Sequence, residues 1–397
     1  MIEPSFQRLR RYCEREQFKG WDPYDGLNSR WFQRSPLRRL ALAREVWIQL
    51  FKRNPVNFRR IAGVPKEHNP KGLGLFLTAY CNQYRIEPRE ETAVTIRYLA
   101  NRLLALRTPG FSGACWGYNF PWQSLVFFQE KYAPTVVATT FIAYGLMDAY
   151  DCLGEPEYLE AAVSAAEFVR KDLNRTEKPA GIIFSYSPKD RTVIYNASLL
   201  ASRMLARTYA YTRDRRLLEL AGSSVAACAA AQLENGAWYQ GEEINQRWTD
   251  SFHTGYNLEG IAEYMRYSGD RSYQTNLDRG WQYLVKHFFL QDGTPKYYDT
   301  RTYPIDIHAP AQLPVTTYRL GEWPRYRELA ERVLQWTIRN MQDPQGFFYY
   351  QRRRVAVTRI PYMRWAQAWM LYGMSFHRLA EHEQGAGAVA RLPGVVQ

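Results

Sequence analysis

The chain lacks the marks of several common chemistries. Its five cysteines, Cys13, Cys81, Cys115, Cys152 and Cys228, are odd in number, form no CxxC pair and mostly occupy apolar helical contexts. That argues against a disulfide framework or thiolate metal cluster and points to a reducing compartment. There is no HExxH and no Cys/His cluster, so no metal is expected, and nothing calls for another cofactor. No GxSxG elbow supports a serine nucleophile. No run of eighteen apolar residues is present to span a bilayer, and no nucleic-acid motif accompanies the basic residues. The first twenty residues are charged and have no apolar core, so no signal peptide is expected and the chain reads as soluble and cytoplasmic.

Aromatic and basic residues are in excess. The 29 Tyr and 12 Trp exceed what a core of Leu, Ile and Val would use. Part of that load suits a saccharide groove, because sugar C–H faces stack on rings while hydroxyls need polar neighbours. The formal charge is +13, with local runs at Arg38-Arg39, Arg59-Arg60 and Arg352-Arg353-Arg354. Arginine scattered along helices is ordinarily a solvated face. Beyond that, this balance fits an anionic oligosaccharide or polysaccharide, or peripheral association with an anionic membrane, with no nucleic acid expected.

Residues 1–36 read as irregular: a short basic helix, then a turn-rich stretch from Trp21 to Ser29. Leu37 to Lys52 reads as an amphipathic helix, with Leu40, Ala43, Val46, Trp47 and Leu50 at helical spacing. A repeat follows. Helix–turn–helix joints fall at 149–158, 210–218, 266–273 and 318–326, and three place a glycine (Gly154, Gly269, Gly321) just past the first helix. Each pair leads to a Gly-aromatic turn at Gly181, Gly236, Gly293 or Gly346, spaced 55, 57 and 53 residues apart. First helices begin near Pro70, Pro134, Tyr195, Asp250, Asp306 and Tyr362, and partners near Arg89, Glu155, Arg215, Arg271 and Trp323. The sixth partner is missing after the last helix, and Leu37–Lys52 supplies it if the N-terminal part closes a ring. No hairpin buries its apolar face alone, and a closed ring solves that for all of them. The expectation is an all-α (α/α)6 toroid over residues 37–382 with short β turns, followed by a flexible tail at 383–397.

If the inner helices run parallel, their N-termini share one mouth. The stretch from Trp248 to Gly260 is the most distinctive: Asp250, His253 and Asn257 share one helix face at i, i+3 and i+7. Candidate catalytic residues are His253, Asp250, His308, Asp306 and Glu243. Candidates for holding sugar are Trp116, Tyr118, Asn119, Trp122, Tyr195, Asn196, Trp238, Tyr256, Asn257, Tyr362, Arg364 and Trp365, with Arg364 pairing a substrate carboxylate. Plainer readings stand beside these. Asp250 and Asp306 suit simple N-caps, His253 and His308 suit satisfied buried histidines, and Glu243 suits a solvated loop acid. Tyr362, Trp365, Trp369 and Tyr372 have the spacing of a core stripe. Against coincidence, two adjacent repeats each set a histidine just inside an Asp-headed helix. The remaining kit is proton chemistry by carboxylate, imidazole and phenol, suited to glycoside cleavage or to abstraction beside a carboxylate.

With its hairpins and Gly-aromatic turns, the span 37–382 resembles the six-hairpin, carbohydrate-active (α/α)6-toroid superfamily. The segments 21–26, 69–74, 115–118, 250–257 and 364–369 resemble bacterial proteins encoded with exopolysaccharide and capsule enzymes, often labelled delta-aminolevulinate dehydratase. Neither a TIM-barrel alternation nor a paired-lysine site supports that label. Arg364-Trp365 is similar to a segment of heparosan-glucuronate C5-epimerases, without the histidine that follows there. The resemblance to the sugar 2-epimerases, in which two inner-helix histidines exchange the proton, implies that role for His253 and His308. The segment from Gln232 to Trp238 resembles the QxxxGxW turn of terpene cyclases, but no DxDD motif accompanies it. Together these imply an enzyme of surface-polysaccharide production acting on an acidic saccharide by uronate epimerisation, elimination or glycoside hydrolysis. The alternatives are a non-catalytic glycan-binding or scaffold protein of the same pathway and, below that, a sugar 2-epimerase.

Overall fold

The computed structural model describes residues 1–123 and 128–385. Among these the helices are α1 (Ile2–Arg15), α2 (Arg30–Arg34), α3 (Ala41–Arg53), α4 (Pro70–Ile86), α5 (Glu90–Ala105), α6 (Val136–Leu153), α7 (Pro156–Lys171), α8 (Tyr195–Thr212), α9 (Arg215–Ala230), α10 (Ser251–Ser268), α11 (Gln274–Phe288), α12 (His308–Arg319), α13 (Trp323–Met341) and α14 (Trp369–Gly385). The even-numbered helices from α4 to α14 form an inner ring, each packed on the next, with α14 returning to α4. Composition explains which helices go inside. α6 is buried without a break from Val136 to Ala149, as a helix apolar all round requires. It is long and apolar enough to cross a membrane, yet here its neighbours enclose it. Outer α5 buries one stripe only: Ala93, Ile96, Leu99, Ala100 and Leu103.

The joints end as the glycines predict. Gly154 and Gly269 take the left-handed conformation (φ 72° and 79°) that stops α6 and α10. The joint without glycine uses the same geometry, with Arg213 at φ 58° ending α8.

The Gly-aromatic turns hold each hairpin to the next. A Cβ added at Gly181, Gly236 or Gly293 would collide with the carbonyl oxygen of Ser223 in α9, Arg279 in α11 or Arg332 in α13. Only glycine lets the turn lie directly on the following outer helix. Gly346 makes the corresponding approach to the carbonyl of Arg8, in α1. The glutamine before each of two turns repeats the relation: Gln232 donates to the carbonyls of Gly236 and Asn276, and Gln342 to those of Gly346 and Ser5. α1 is therefore the sixth outer helix, packed on α13 and α14. This corrects the sequence expectation in two places. Residues 1–36 are not simply irregular, and the segment 37–52 does not close the ring.

That segment belongs instead to a cap formed by residues 20–67. α3 buries Ile48 against Leu27 and Phe32, and Phe51 against Ala62 and Val64. The fully buried Arg59 ties the cap together: its Nε donates to Asp25 at 2.8 Å and its Nη2 to the carbonyl of Asp22 at 3.0 Å. Of the apolar stripe that suggested ring closure, Leu40, Val46 and Leu50 are exposed. The short strands are antiparallel: β1 (Trp122–Gln123) with β2 (Phe128–Gln129), β3 (Arg175–Lys178) with β4 (Gly181–Phe184), and β5 (Ile305–Asp306) with β6 (Gln351–Arg352) and β7 (Val357–Thr358). Of the expected tail, residues 386–397 lie outside those described.

Toward the C-terminal ends of the inner helices the ring is filled by charge. Arg203 lies 2.9 Å from Glu259, Arg319 lies 3.3 Å from Glu263, and Arg207 and Arg85 lie 2.9 and 3.1 Å from Asp148. Burial pushes the Glu263 carboxyl up, but Arg266, Arg319, Arg203 and Arg207 overcome it and bring it from 4.5 down to about 2. At Glu259 burial prevails over Arg203 and Arg319, and the pKa is raised.

Glu263→Gln leaves the buried Arg319 guanidinium with only its longer, 3.6 Å pairing to Glu259, and should cost about 3 kcal/mol of stability, read as a lower urea midpoint at neutral pH. A carboxyl with a depressed folded pKa contributes stability above its unfolded pKa and loses it as pH falls through the folded one. The gap between wild type and variant therefore narrows as pH drops from 4.5 toward 2.

Candidate functional site

The N-terminal ends of the inner helices converge on one mouth, beneath the cap. Asp250 caps α10, accepting from the His253 backbone N–H at 2.8 Å. Its second oxygen lies 2.7 Å from His253 Nδ1. The N-cap reading and the functional reading of Asp250 are thus both true, because one carboxylate does both. His253 keeps 22% of its side chain exposed, and no described residue hydrogen-bonds its Nε2. With Nδ1–H donated to Asp250, Nε2 is left as a lone-pair acceptor.

The second histidine has a different setting. His308 Nε2 lies 2.8 Å from the Tyr256 hydroxyl, and its ring stacks on Phe252 with centroids 4.0 Å apart. Trp369 and Trp365 wall it in at 3.9 and 5.3 Å. Burial, helped by the Lys71 and Arg364 cations nearby, lowers its pKa well below the usual range and keeps the ring neutral. Its Nδ1 is buried and has no partner. Phe252 also meets the His253 ring at 4.1 Å, so one phenyl spaces the two imidazoles.

Asp306 accepts from the His308 backbone N–H, from Trp365 Nε1 and from Gln351 Nε2 at 3.0, 2.9 and 3.1 Å. Burial pushes its carboxyl up to about 6 despite those bonds and the nearby Lys52 ammonium. Tyr256 stands against Phe141 and Trp369, and burial raises its phenol well above 10. The adjoining Asn257 has a buried amide oxygen with no partner.

Two cations found here were not singled out from sequence. Lys71, on the first turn of α4, is buried with its ammonium 4.5, 5.2 and 5.8 Å from the ring centroids of Phe141, Trp369 and Tyr256. Burial, with Arg364 adding to it, lowers its pKa well below 10.5. Lys52 of the cap donates to the Tyr24 hydroxyl at 2.8 Å, and Tyr24 packs on Trp365. Nothing in the local pattern Asn69-Pro70-Lys71-Gly72 marks the lysine; only ring closure puts it among aromatics.

Other candidates sit elsewhere. Arg364 has an internal partner: it binds Asp22 through Nε and Nη2 at 2.6 and 2.8 Å, joining cap to ring in place of the expected substrate carboxylate. Tyr118 packs beneath that guanidinium at 5.1 Å, its hydroxyl 3.2 Å from that of Tyr186. Trp116 and Trp238 are fully buried, and their indole N–H groups donate to the carbonyls of Leu103 and Cys228 near the ends of outer helices. They lock the turns and offer no ring to a sugar. Tyr362 lies buried against Arg59, and Trp122 packs in the cap cluster of Leu27, Phe32 and Ile48. Asn119 bridges Asn69 to Asn28. At the start of α8, Tyr195 bonds Glu242 and Asn196 bonds Gln240. Glu243 is exposed on its loop, the plain reading of that acid. Among the described residues no cluster of metal-ligating side chains occurs.

No family model matches the chain, and no curated protein matches it. Solved structures do. A cellobiose 2-epimerase from Bacillus thermoamylovorans is similar at TM-score 0.63 and 13% identity, over 80% of this chain and 90% of that one. An unsaturated glucuronyl hydrolase specific for heparin is similar at 0.60 and 14% identity, over 81% and 89%. A polysaccharide lyase follows at 0.55 and 12%, over 80% and 92%. At such identities the likeness is one of fold: the chain is an (α/α)6 toroid of the six-hairpin, glycosidase-like type.

Proposed function

We propose that the chain is a carbohydrate-active enzyme that moves a proton on an acidic saccharide during bacterial surface-polysaccharide production. The observation carrying this is the His253 ring, held by Asp250 at Nδ1 with Nε2 unpartnered at the mouth. Epimerisation or elimination at a uronate is favoured over hydrolysis by two carboxylates. Asp250 and Asp306 are buried and both oxygens of each accept hydrogen bonds, so neither stands open to the sugar as a nucleophile or general base must.

In the proposed reaction the uronate C5–H bond breaks and the proton passes to His253 Nε2. The electron pair moves into the substrate carboxylate, paired with Lys71, whose side chain has no ion-paired acid among the described residues. Tyr256, kept protonated by burial and backed by His308, then returns a proton on the opposite face to give the epimer. In the eliminating variant the C5–H proton again passes to His253, the electron pair forms a C4–C5 double bond as the C4–O4 bond breaks, and O4 leaves with the proton of Tyr256 to give an unsaturated uronate. Trp365 and Asn257 border the sugar. The unpartnered nitrogen of His308 and the unpartnered oxygen of Asn257 are the groups a hydroxyl would satisfy.

A glycan-binding protein without turnover would use the same rings and cations but not a histidine base. Incubated in deuterium oxide with a panel of uronic-acid oligosaccharides, the wild type should take deuterium into C5 or form an unsaturated product absorbing in the near ultraviolet. His253→Ala should slow this by about 10²- to 10⁴-fold, with oligosaccharide binding and the urea midpoint retained. Undiminished exchange in the variant removes His253 as the base. Binding by both proteins with no exchange or new product in the wild type establishes the binding-only reading. Asp250→Asn keeps a helix cap but loses the anionic hold on Nδ1, and should lower kcat on the order of 10²-fold with KM little changed.

A further inference from the structure

The apolar stripe that suggested ring closure still needs an occupant. Of the seventeen large apolar side chains exposed among the described residues, eight fall between Trp31 and Ile61. Single exposed apolar residues are ordinary, but a concentration within one short segment is not. On α3 the row is regular: Leu42, Val46 and Leu50 lie four residues apart and are 74%, 58% and 46% exposed. They line one open groove that runs along the helix to Asn54 and Pro55. Leu37 and Leu40, in the turn before α3, are exposed at 49% and 58%.

Charge around this row has one sign. Residues 30–60 hold nine Lys or Arg and a single acid, Glu45. Arg59, Lys52 and Arg44 are engaged within the protein, with Asp25, with Tyr24 and with Gln123. The other six, Arg30, Arg34, Arg38, Arg39, Arg53 and Arg60, are exposed, and none lies within ion-pair distance of a described acid. Arg38 and Arg39 precede the Leu42–Val46–Leu50 row and Arg53 follows it. Long cationic side chains at both ends of a short apolar row are the pattern of a helix lying flat in a lipid interface, stems down and guanidiniums at the phosphates. At 13 residues α3 is too short to span a bilayer, which needs about 20.

We propose that this face of α3, with the turn before it, is a docking surface for an anionic lipid bilayer. Charge complementarity selects the occupant. A protein partner would have to supply an apolar ridge flanked by acids on both sides, whereas acidic headgroups over acyl chains supply both at once. The opposite edge of α3 is seated in the cap through Ile48 and Phe51, and the neighbouring Lys52 reaches Tyr24 over the mouth. Docking therefore lays the cap, and the mouth under it, along the membrane surface. The inference is independent of the reaction at the mouth, since it uses only side chains outside the site.

The test is flotation of the full chain with vesicles of phosphatidylcholine containing about 30% phosphatidylserine, against pure phosphatidylcholine. Binding to the anionic vesicles should be stronger by about tenfold or more and should weaken as salt rises. The triple variant Leu42→Ser, Val46→Ser, Leu50→Ser should lose about tenfold or more of that binding. So should Arg38→Glu with Arg39→Glu, both with an unchanged urea midpoint because the side chains are exposed. Equal flotation with neutral and anionic vesicles, or full binding by the triple variant, overturns the proposal. So does concentration-dependent self-association, seen by sedimentation without lipid and abolished by the triple variant, which would assign the face to a second copy of the chain.

Discussion

A ring of hairpins has no stable open form. Every inner helix is buried on nearly all sides, so each needs two inner neighbours and an outer cover, and the last can find its second neighbour only in the first. Everything else in the molecule accommodates that closure. The turn glycines exist because the connection must lie on the backbone of the next outer helix, and the turn tryptophans fasten the same connection from inside. With the ring shut, six helix starts point at one opening, and the residues there are fixed by packing on all sides. The two histidines owe their different settings to this: one reaches the edge and is held by a carboxylate, the other is walled in among aromatic rings.

The cap is the second consequence. An open mouth would leave Trp365, Arg364 and Tyr362 in water, and the cap covers them with Tyr24, Asp22 and Arg59. The Asp22–Arg364 pair is buried and bidentate, so each partner depends on the other for its charge to be tolerated. That pair and the hydrogen bond from the Met363 N–H to the Trp21 carbonyl join cap to ring beside the candidate site. The position of the cap and the geometry around Trp365 are therefore not independent variables.

The hairpin count and ring were legible from the 53–57-residue spacing, because that period repeats the same physical unit. Closure was misassigned for a definite reason. Amphipathic spacing in residues 37–52 reveals a face but not what covers it, while the true closing helix makes its contacts more than 330 residues away, as in Ser5 with Gln342. The Asp250–His253 relation was readable because both partners lie on one helical turn. Arg364 was expected to pair a substrate carboxylate, whereas its partner is Asp22, 342 positions distant and invisible to local pattern. Trp116 and Trp238 were misread because composition alone does not separate a ring that meets sugar from a ring that pins a turn.

The seam between the two ends of the chain also orders the life of the protein. α1 and the cap leave the ribosome about 300 residues before the partners they need, α13, Gln342 and Arg364. For most of synthesis these early segments therefore wait unpaired, with α3 already presenting its leucines and arginines. Until Met363 and Arg364 have been made the cap has no ring partner across the mouth, so the candidate site is assembled late, after the side chains that cover it.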